Sequence, residues 1–560
     1  MAIEPEQIIL NDLLQEINSK PLSNNIRILK KFNKFILIAA DPVKLKFTPS
    51  SKESSAGLAL FSRDASHPVV YNTIPNKSEL KRPVSLLGAK SSSSQAPLGI
   101  YPLKSKKNLK VSISPLKNAD GKVFPAANIK LFKVRHLFST VDQYVYTPVP
   151  MGLAPLSSGD KINLRKGISD SIIIEASIPA TIPAGTYRGS ISIGKLKKAI
   201  ELKIVNFQLK KAPRQRMNWG FYVSRHVMAK DFKFMAEHGC NTAVIMSGLD
   251  NKFTQRLKAM RKAGIDGTLV IDVGALDKYI QQKPYTAQWR KLYMDKVKKF
   301  DALMKKNNEN NAYIGMIHDE PREKRLNPWN RTYKQTMIYN DLIGKAAPGM
   351  KRGANPMSDE ITKQYPKGLY TELVKDLEMI MPHYWAKSKY TIAAANANPK
   401  CSLWSYNDGD NRLAWGLHSW KVGIHGRTQY HYRPYSTHEH PLSPVFMGNS
   451  EFEGRSFTGN YVISWKNKLW STVRFKALRD GITDYHYVYT LEQLIKQNPK
   501  SPVAAKAKKY LAELKIKIPE YAHATNFTEA TEAGVGEVKT SLNLSKIRQK
   551  IADFCEKLTK

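Results

Sequence analysis

Acid, cysteine and long apolar runs are what this sequence has least of, and each shortage closes off a class of protein. Only 47 Asp and Glu face 88 Lys and Arg across 560 residues, a formal charge of +41. Such an excess suits a polyanionic partner such as nucleic acid, an acidic glycan or an anionic surface, or else reflects a proteome-wide surface bias. The basic residues fall in short scattered clusters at 104–110, 195–198 and 296–299, with no long basic tail and no recognisable nucleic-acid module. A specific nucleic-acid role is therefore not expected. Cys240, Cys401 and Cys555 are far apart and form no C-x-x-C pair, which argues against a disulfide framework and against a thiolate zinc site. No apolar stretch has the length of a membrane span. The apolar run Phe35 to Ala40 is too short and too far into the chain for a leader, so the compartment stays open. Glycine-rich phosphate loops and Ser or Cys nucleophile motifs are also missing. His438-Glu439-His440, with His425 and His431 nearby, has one chelating pair but no third ligand at a telling spacing, and neither metal nor cofactor is expected.

What is present is a globular composition, 42% hydrophobic and 10% aromatic, in a chain long enough for several cores. Residues 1–32 read as an N-terminal helical extension, with Ile8, Ile9, Leu13, Leu14 and Ile17 on one face. From 33 to 212, short alternating runs punctuated by Ser, Pro, Asn and Gly predict a β-sandwich. Its clearest hairpin joins the runs Ile182 to Ile193 and Ala199 to Phe207 through Gly194 and lysines. From 213 to 465 strand-like and helix-like stretches alternate. Eight candidate strands (Trp219 to Val223, Ala243 to Met246, Thr268 to Asp272, Tyr313 to His318, Lys351 to Asn355, Glu378 to Pro382, Ser402 to Tyr406, Gly426 to His431) predict a (β/α)8 barrel. Residues 466–560 read as a helical region packed on the barrel, with two helical stretches joined at Gly481.

Barrel active sites lie at the carboxyl ends of the strands, and those ends carry chemistry. The first ends in Ser224-Arg225-His226, the sixth in His383-Tyr384-Trp385, the seventh in Asn407-Asp408, the eighth in Tyr432-Arg433. The fourth, Tyr313-Ile314-Gly315-Met316-Ile317-His318, runs into Asp319-Glu320-Pro321. Proline disfavours a helical residue before it, which predicts an extended backbone through the acidic pair. Asp319 could equally cap a following helix. Aromatic rings at such a rim offer faces for sugars, while Asn, His, Asp and Arg offer directed hydrogen bonds. Adjacent carboxylates do not easily flank a glycosidic bond. They suit substrate-assisted cleavage, in which a 2-acetamido oxygen attacks the anomeric carbon.

On these residues the chain resembles glycoside hydrolase family 123, the β-N-acetylgalactosaminidases, and the bacterial proteins related to it. The resemblance covers about residues 56–495. It rests on Pro183-Ala184-Gly185-Thr186-Tyr187-Arg188-Gly189, on Asp319-Glu320-Pro321, on Leu403-Trp404-Ser405-Tyr406-Asn407, and on Leu478-Arg479-Asp480-Gly481-Ile482-Thr483-Asp484-Tyr485. It implies a retaining hydrolase of terminal β-linked 2-acetamido hexoses, with Glu320 as general acid and Asp319 steering the acetamido group. Trp404, Tyr406 and Asn407 would line the sugar subsite, with Tyr384 and Tyr432 beside them; Arg225, His318, His383 and Trp385 are further rim candidates. The expected partner is a glycan, and the charge suits an acidic or sulfated one. The chain departs from the group where Ser93-Ser94-Gln95-Ala96-Pro97-Leu98-Gly99 replaces an acidic segment, and around Tyr485-His486-Tyr487. Two other readings stay open. One is a glycosidase for non-acetamido sugars that pairs Glu320 with a distant Asp408 or Asp272. The other is a non-catalytic binder of acidic polysaccharide.

Overall fold

A computed structural model describes residues 48–64, 68–142, 145–224, 226–246, 252–272, 276, 280–315, 320–321, 332–356, 372–383, 398–430, 432–433, 461–465, 468–519 and 542–560. The extension expected over 1–32 and the His438–His440 segment lie outside these residues.

Alternating apolar residues build two sheets that face each other. One orders its strands Leu58–Ser62, Ser92–Pro102, Asp170–Ile178, Ile129–Asp142 and Val145–Leu156. The other runs Val84–Lys90, Leu196–Gln208, Gly185–Ile193, Lys106–Ile113 and Lys161–Leu164, with the small hairpin Leu116–Lys117/Val123–Phe124 beside it. Leu98, Ile172 and Ile174 from the first sheet meet Ile191, Leu202 and Ile204 from the second in one buried core. The expected hairpin is there: Ile193 faces Leu196, and Gly194 turns the chain at φ +56°. In the Pro183–Gly189 segment, Tyr187 is fully buried and its hydroxyl donates to the Pro183 carbonyl at 3.0 Å, closing a corner.

The strands Asn218–Val223, Thr242–Ile245, Val270–Asp272, Tyr313–Gly315, Lys351–Ala354, Met379–Ile380, Ser402–Tyr406 and Gly426–Gln429 form a closed barrel. Asn218 of the first strand sits opposite Gly426 of the eighth, parallel, which completes the circle. Period-two alternation sorts the side chains. Tyr222, Val244, Val270, Met379, Met381, Trp404 and Tyr406 fill the interior, while Phe221, Ala243, Ile271 and Ile314 face the surrounding helices.

One helix, Val473–Gln497, holds the parts together. Gly481 does not join two helices, as the sequence suggests, but lies inside this continuous one. A Cβ there would stand 2.5 Å from the Arg412 carbonyl oxygen, so glycine permits the helix to touch the helical segment 412–416 backbone to backbone. Around it, Arg479 and Lys476 grip Glu175 of the sandwich at 2.8 and 2.6 Å. Asp484 binds Arg412 of the barrel region at 2.7 Å and Arg548 of the last helix at 2.5 Å. Gln95 reaches Asp480 at 2.8 Å. The segment Leu478–Tyr485 is thus a structural joint. Helix Leu544–Thr559 packs on Val473–Gln497 and also on the sandwich, where Glu556 accepts from the Asn206 amide at 2.8 Å.

Candidate active site

At the carboxyl end of the fourth strand, Glu320 does not continue the strand. Its φ is +46°, the left-handed region that non-glycine residues seldom occupy, so the expected extended backbone fails at this residue. Outliers of this kind persist where surrounding contacts over-determine them. Here the carboxylate is held from across the mouth: Glu320 Oε1 lies 2.5 Å from His383 Nδ1, at the end of the sixth strand. The two side chains are only 17% and 8% exposed.

The far side of the imidazole is equally determined. Asn407, after the seventh strand, lies 3.0 Å from His383 Nε2 through its Nδ2. Asn407 Oδ1 is already taken by the Tyr430 amide, which donates to it at 2.8 Å. The amide therefore presents N–H to the imidazole, and Nε2 must accept. That leaves the proton on Nδ1, where it donates to Glu320. Asn407 makes this turn with φ +50°, a conformation asparagine tolerates better than most residues. Tyr406 stacks on His383 at 4.5 Å between ring centres, and Tyr222 stacks on Tyr406 at 4.6 Å. The mouth is thus a carboxylate, an imidazole and an amide in series over a layered aromatic floor.

Sequence reasoning places Glu320, His383, Tyr406 and Asn407 at one rim, and the structure brings these four together. Two other candidates part from them. Trp404 lies one layer deeper in the barrel, 1% exposed, with Nε1 donating to Ser402 Oγ at 3.1 Å. Its indole fills the space left by Gly426, where a Cβ would come within 2.1 Å of the ring. It plugs the barrel and has no face free for a sugar. Tyr432 packs outside the barrel wall on Phe221 and Phe475, fully buried, with its hydroxyl on the Asp231 carbonyl at 3.3 Å. Its expected sugar contact gives way to a packing role. Asp319, Arg225, His318, Tyr384 and Trp385 lie outside the described residues. Asp408, the alternative carboxylate partner, is 1% exposed, accepts from Ser405 Oγ at 3.1 Å and lies 3.5 Å from the buried Arg427. Tyr222 and Tyr430 escape sequence reasoning because only barrel closure sets them beside the sixth and seventh strands. Among the described residues no cluster of His, Cys, Asp or Glu could hold a metal ion.

The fold and this mouth define a sandwich-plus-barrel protein with a histidine-held carboxylate at the barrel's carboxyl face. No family profile matches the sequence, and no curated protein matches it. Among solved structures, a family 123 glycoside hydrolase from Clostridium perfringens, described for glycolipid glycan hydrolysis, shares the fold with a TM-score of 0.66. That similarity covers 90% of this chain and 100% of the other, at 12% identity. A family 2 glycosyl hydrolase from Bacteroides cellulosilyticus scores 0.26 at 8% identity, over 67% of this chain and 45% of its own. A GH10 xylanase from termite gut scores 0.29 at 9% identity, over 56% and 90%. At those two scores the likeness carries no functional weight.

Proposed function

We propose that this protein is a glycoside hydrolase that removes a terminal β-linked 2-acetamido hexose, of the N-acetylgalactosamine type, with retention. The observation that carries the reading is Glu320, bent out of the fourth strand and braced by His383 above the Tyr406 ring. It stands in a fold shared over 90% of this chain with a family 123 enzyme. In this reading the acetamido oxygen attacks the anomeric carbon as Glu320 protonates the departing glycosidic oxygen, and Asp319 orients the acetamido N–H. His383 N–H holds one carboxyl oxygen, and in this reading the carboxyl's proton goes to the leaving group. Once the proton has gone, the same bond stabilises the carboxylate. Water then opens the cyclic intermediate, with Glu320 acting as base. A distant Asp408 is disfavoured as partner by its pairing with Arg427.

Turnover of paired aryl β-glycosides with and without the 2-acetamido group tests this, with Asp319→Asn and Glu320→Gln alongside the wild type. The expected result is cleavage of acetamido sugars alone, with losses of about 10²-fold or more in both variants. Cleavage confined to sugars without that group would overturn the role of Asp319.

A further inference from the structure

We propose that the outer face of the seven-stranded sheet, at its Gly194 end, is an accessory binding surface for an acidic polysaccharide. Three segments meet there. In one strand pair Lys110 lies directly opposite Lys161. Lys110 is two residues from Ser112, which pairs with Ser192, which in turn pairs with Lys197. Strands in a sheet lie about 4.8 Å apart, so Lys197 to Lys161, three strands over, spans roughly 15 Å. Lys104, Lys107, Arg165, Lys166 and Lys195 lie on the same three segments, and all eight side chains are exposed. Within 104–113, 158–166 and 192–198 the sole acid is Asp160, whose carboxylate already accepts from the Ser157 amide at 2.7 Å.

Like charges directly opposite on one face cost stability. The same sheet balances its charge elsewhere, where Arg188 sits opposite Glu201 and bonds it at 3.2 Å. Lysine on an edge strand also guards against edge-to-edge pairing, which accounts for Lys161. It does not account for Lys110 or Lys197, which lie on interior strands of the sheet. A bound polyanion would supply the missing counter-charge. Neutral hydrogen-bonding groups are interleaved with the lysines: Asn108, Ser112, Asn163 and Ser192. No aromatic ring is among the large exposed hydrophobics of the described residues. That composition suits a chain with hydroxyls and acidic groups better than one with bases that need stacking platforms. The choice of a glycan as the polyanion rests on the reading above, whereas the location of the surface does not.

The test compares the full chain with Lys110→Gln/Lys161→Gln/Lys197→Gln and with a charge-matched control, Lys506→Gln/Lys508→Gln/Lys509→Gln on an exposed helix face. Affinity for heparin, for an oligonucleotide and for phosphatidylserine vesicles is measured across a salt series, and turnover of a small aryl glycoside is measured separately. The expected result is a heparin affinity at least about 10-fold weaker in the sheet variant, with a salt slope lower by about 2, and little change in the control. Turnover of the small glycoside should match wild type. Equal loss in both variants would mean diffuse charge and would overturn the proposal, as would loss confined to the oligonucleotide or the vesicles. A silent aryl-glycoside assay beside intact, sheet-dependent heparin binding would sink the hydrolase reading and spare the surface.

Discussion

Replacing Asn407 by Asp changes one atom's chemistry and reverses the proton order at the candidate site. Aspartate tolerates the left-handed backbone at φ +50° about as well as asparagine, and one oxygen still accepts from the Tyr430 amide. The atom 3.0 Å from His383 Nε2 turns from donor to acceptor. The imidazole then carries its proton on Nε2 and turns a lone pair toward Glu320. Glu320 must give its proton to that lone pair, and no longer holds it for the leaving group. Misplaced general-acid protons cost about 10² to 10⁴ in rate, or ~3 to 5 kcal/mol of barrier. The loss should fall on kcat with KM nearly unchanged, and should shrink for leaving groups that depart without protonation. Asn407→Ala only deletes the donor and adds about 1–2 kcal/mol of backbone strain, so it should be milder. The assay is steady-state hydrolysis of aryl 2-acetamido glycosides across a leaving-group series, beside thermal unfolding of each variant. If Asn407→Ala is the worse of the two, or if the Asp variant shows no leaving-group dependence, the tautomer argument is refuted.

Two further predictions concern the scaffold. Gly481→Ala inside a helix would ordinarily gain about 1 kcal/mol; here the Cβ meets backbone at 2.5 Å, and a net destabilisation of about 2 kcal/mol is expected in denaturant unfolding. The pH dependence is set by groups held below their ordinary values. Burial, reinforced by Lys211, pushes His486 down to about 3, and burial with Lys476 and Arg479 pushes His238 well below its usual range. Their contribution is complete above about pH 6.5 and is lost as pH falls, at about 1.4 kcal/mol per unit per histidine. Burial works against the Glu175 carboxylate, but Arg479 and Lys476 outweigh it and hold that group far below the carboxylate range. Its share is lost only below about pH 4.5. Stability measured from pH 8 to 4 should therefore begin to fall near 6.5, and His486→Gln should flatten the slope.

The sequence by itself determined the architecture, because alternation and helical periodicity are local. Tyr222, Val244 and Tyr406 share the barrel interior because alternate residues of a strand point the same way. It also placed Glu320, His383 and Asn407 at strand ends, and barrel geometry makes strand ends a mouth. Three things needed the tertiary structure. Trp404 and Tyr406 are two residues apart and share a strand face, so no local pattern tells the floor of the site from the plug beneath it; depth along the barrel decides. The segment around Gly481 reads as a junction between helices, yet its glycine answers to a carbonyl more than sixty residues away in sequence. The tautomer of His383 depends on Tyr430 occupying one end of an amide, a contact between the seventh and eighth strands. Patterns repeated along the chain are written in the sequence, whereas pairings across closed strands exist only once the barrel has brought them together.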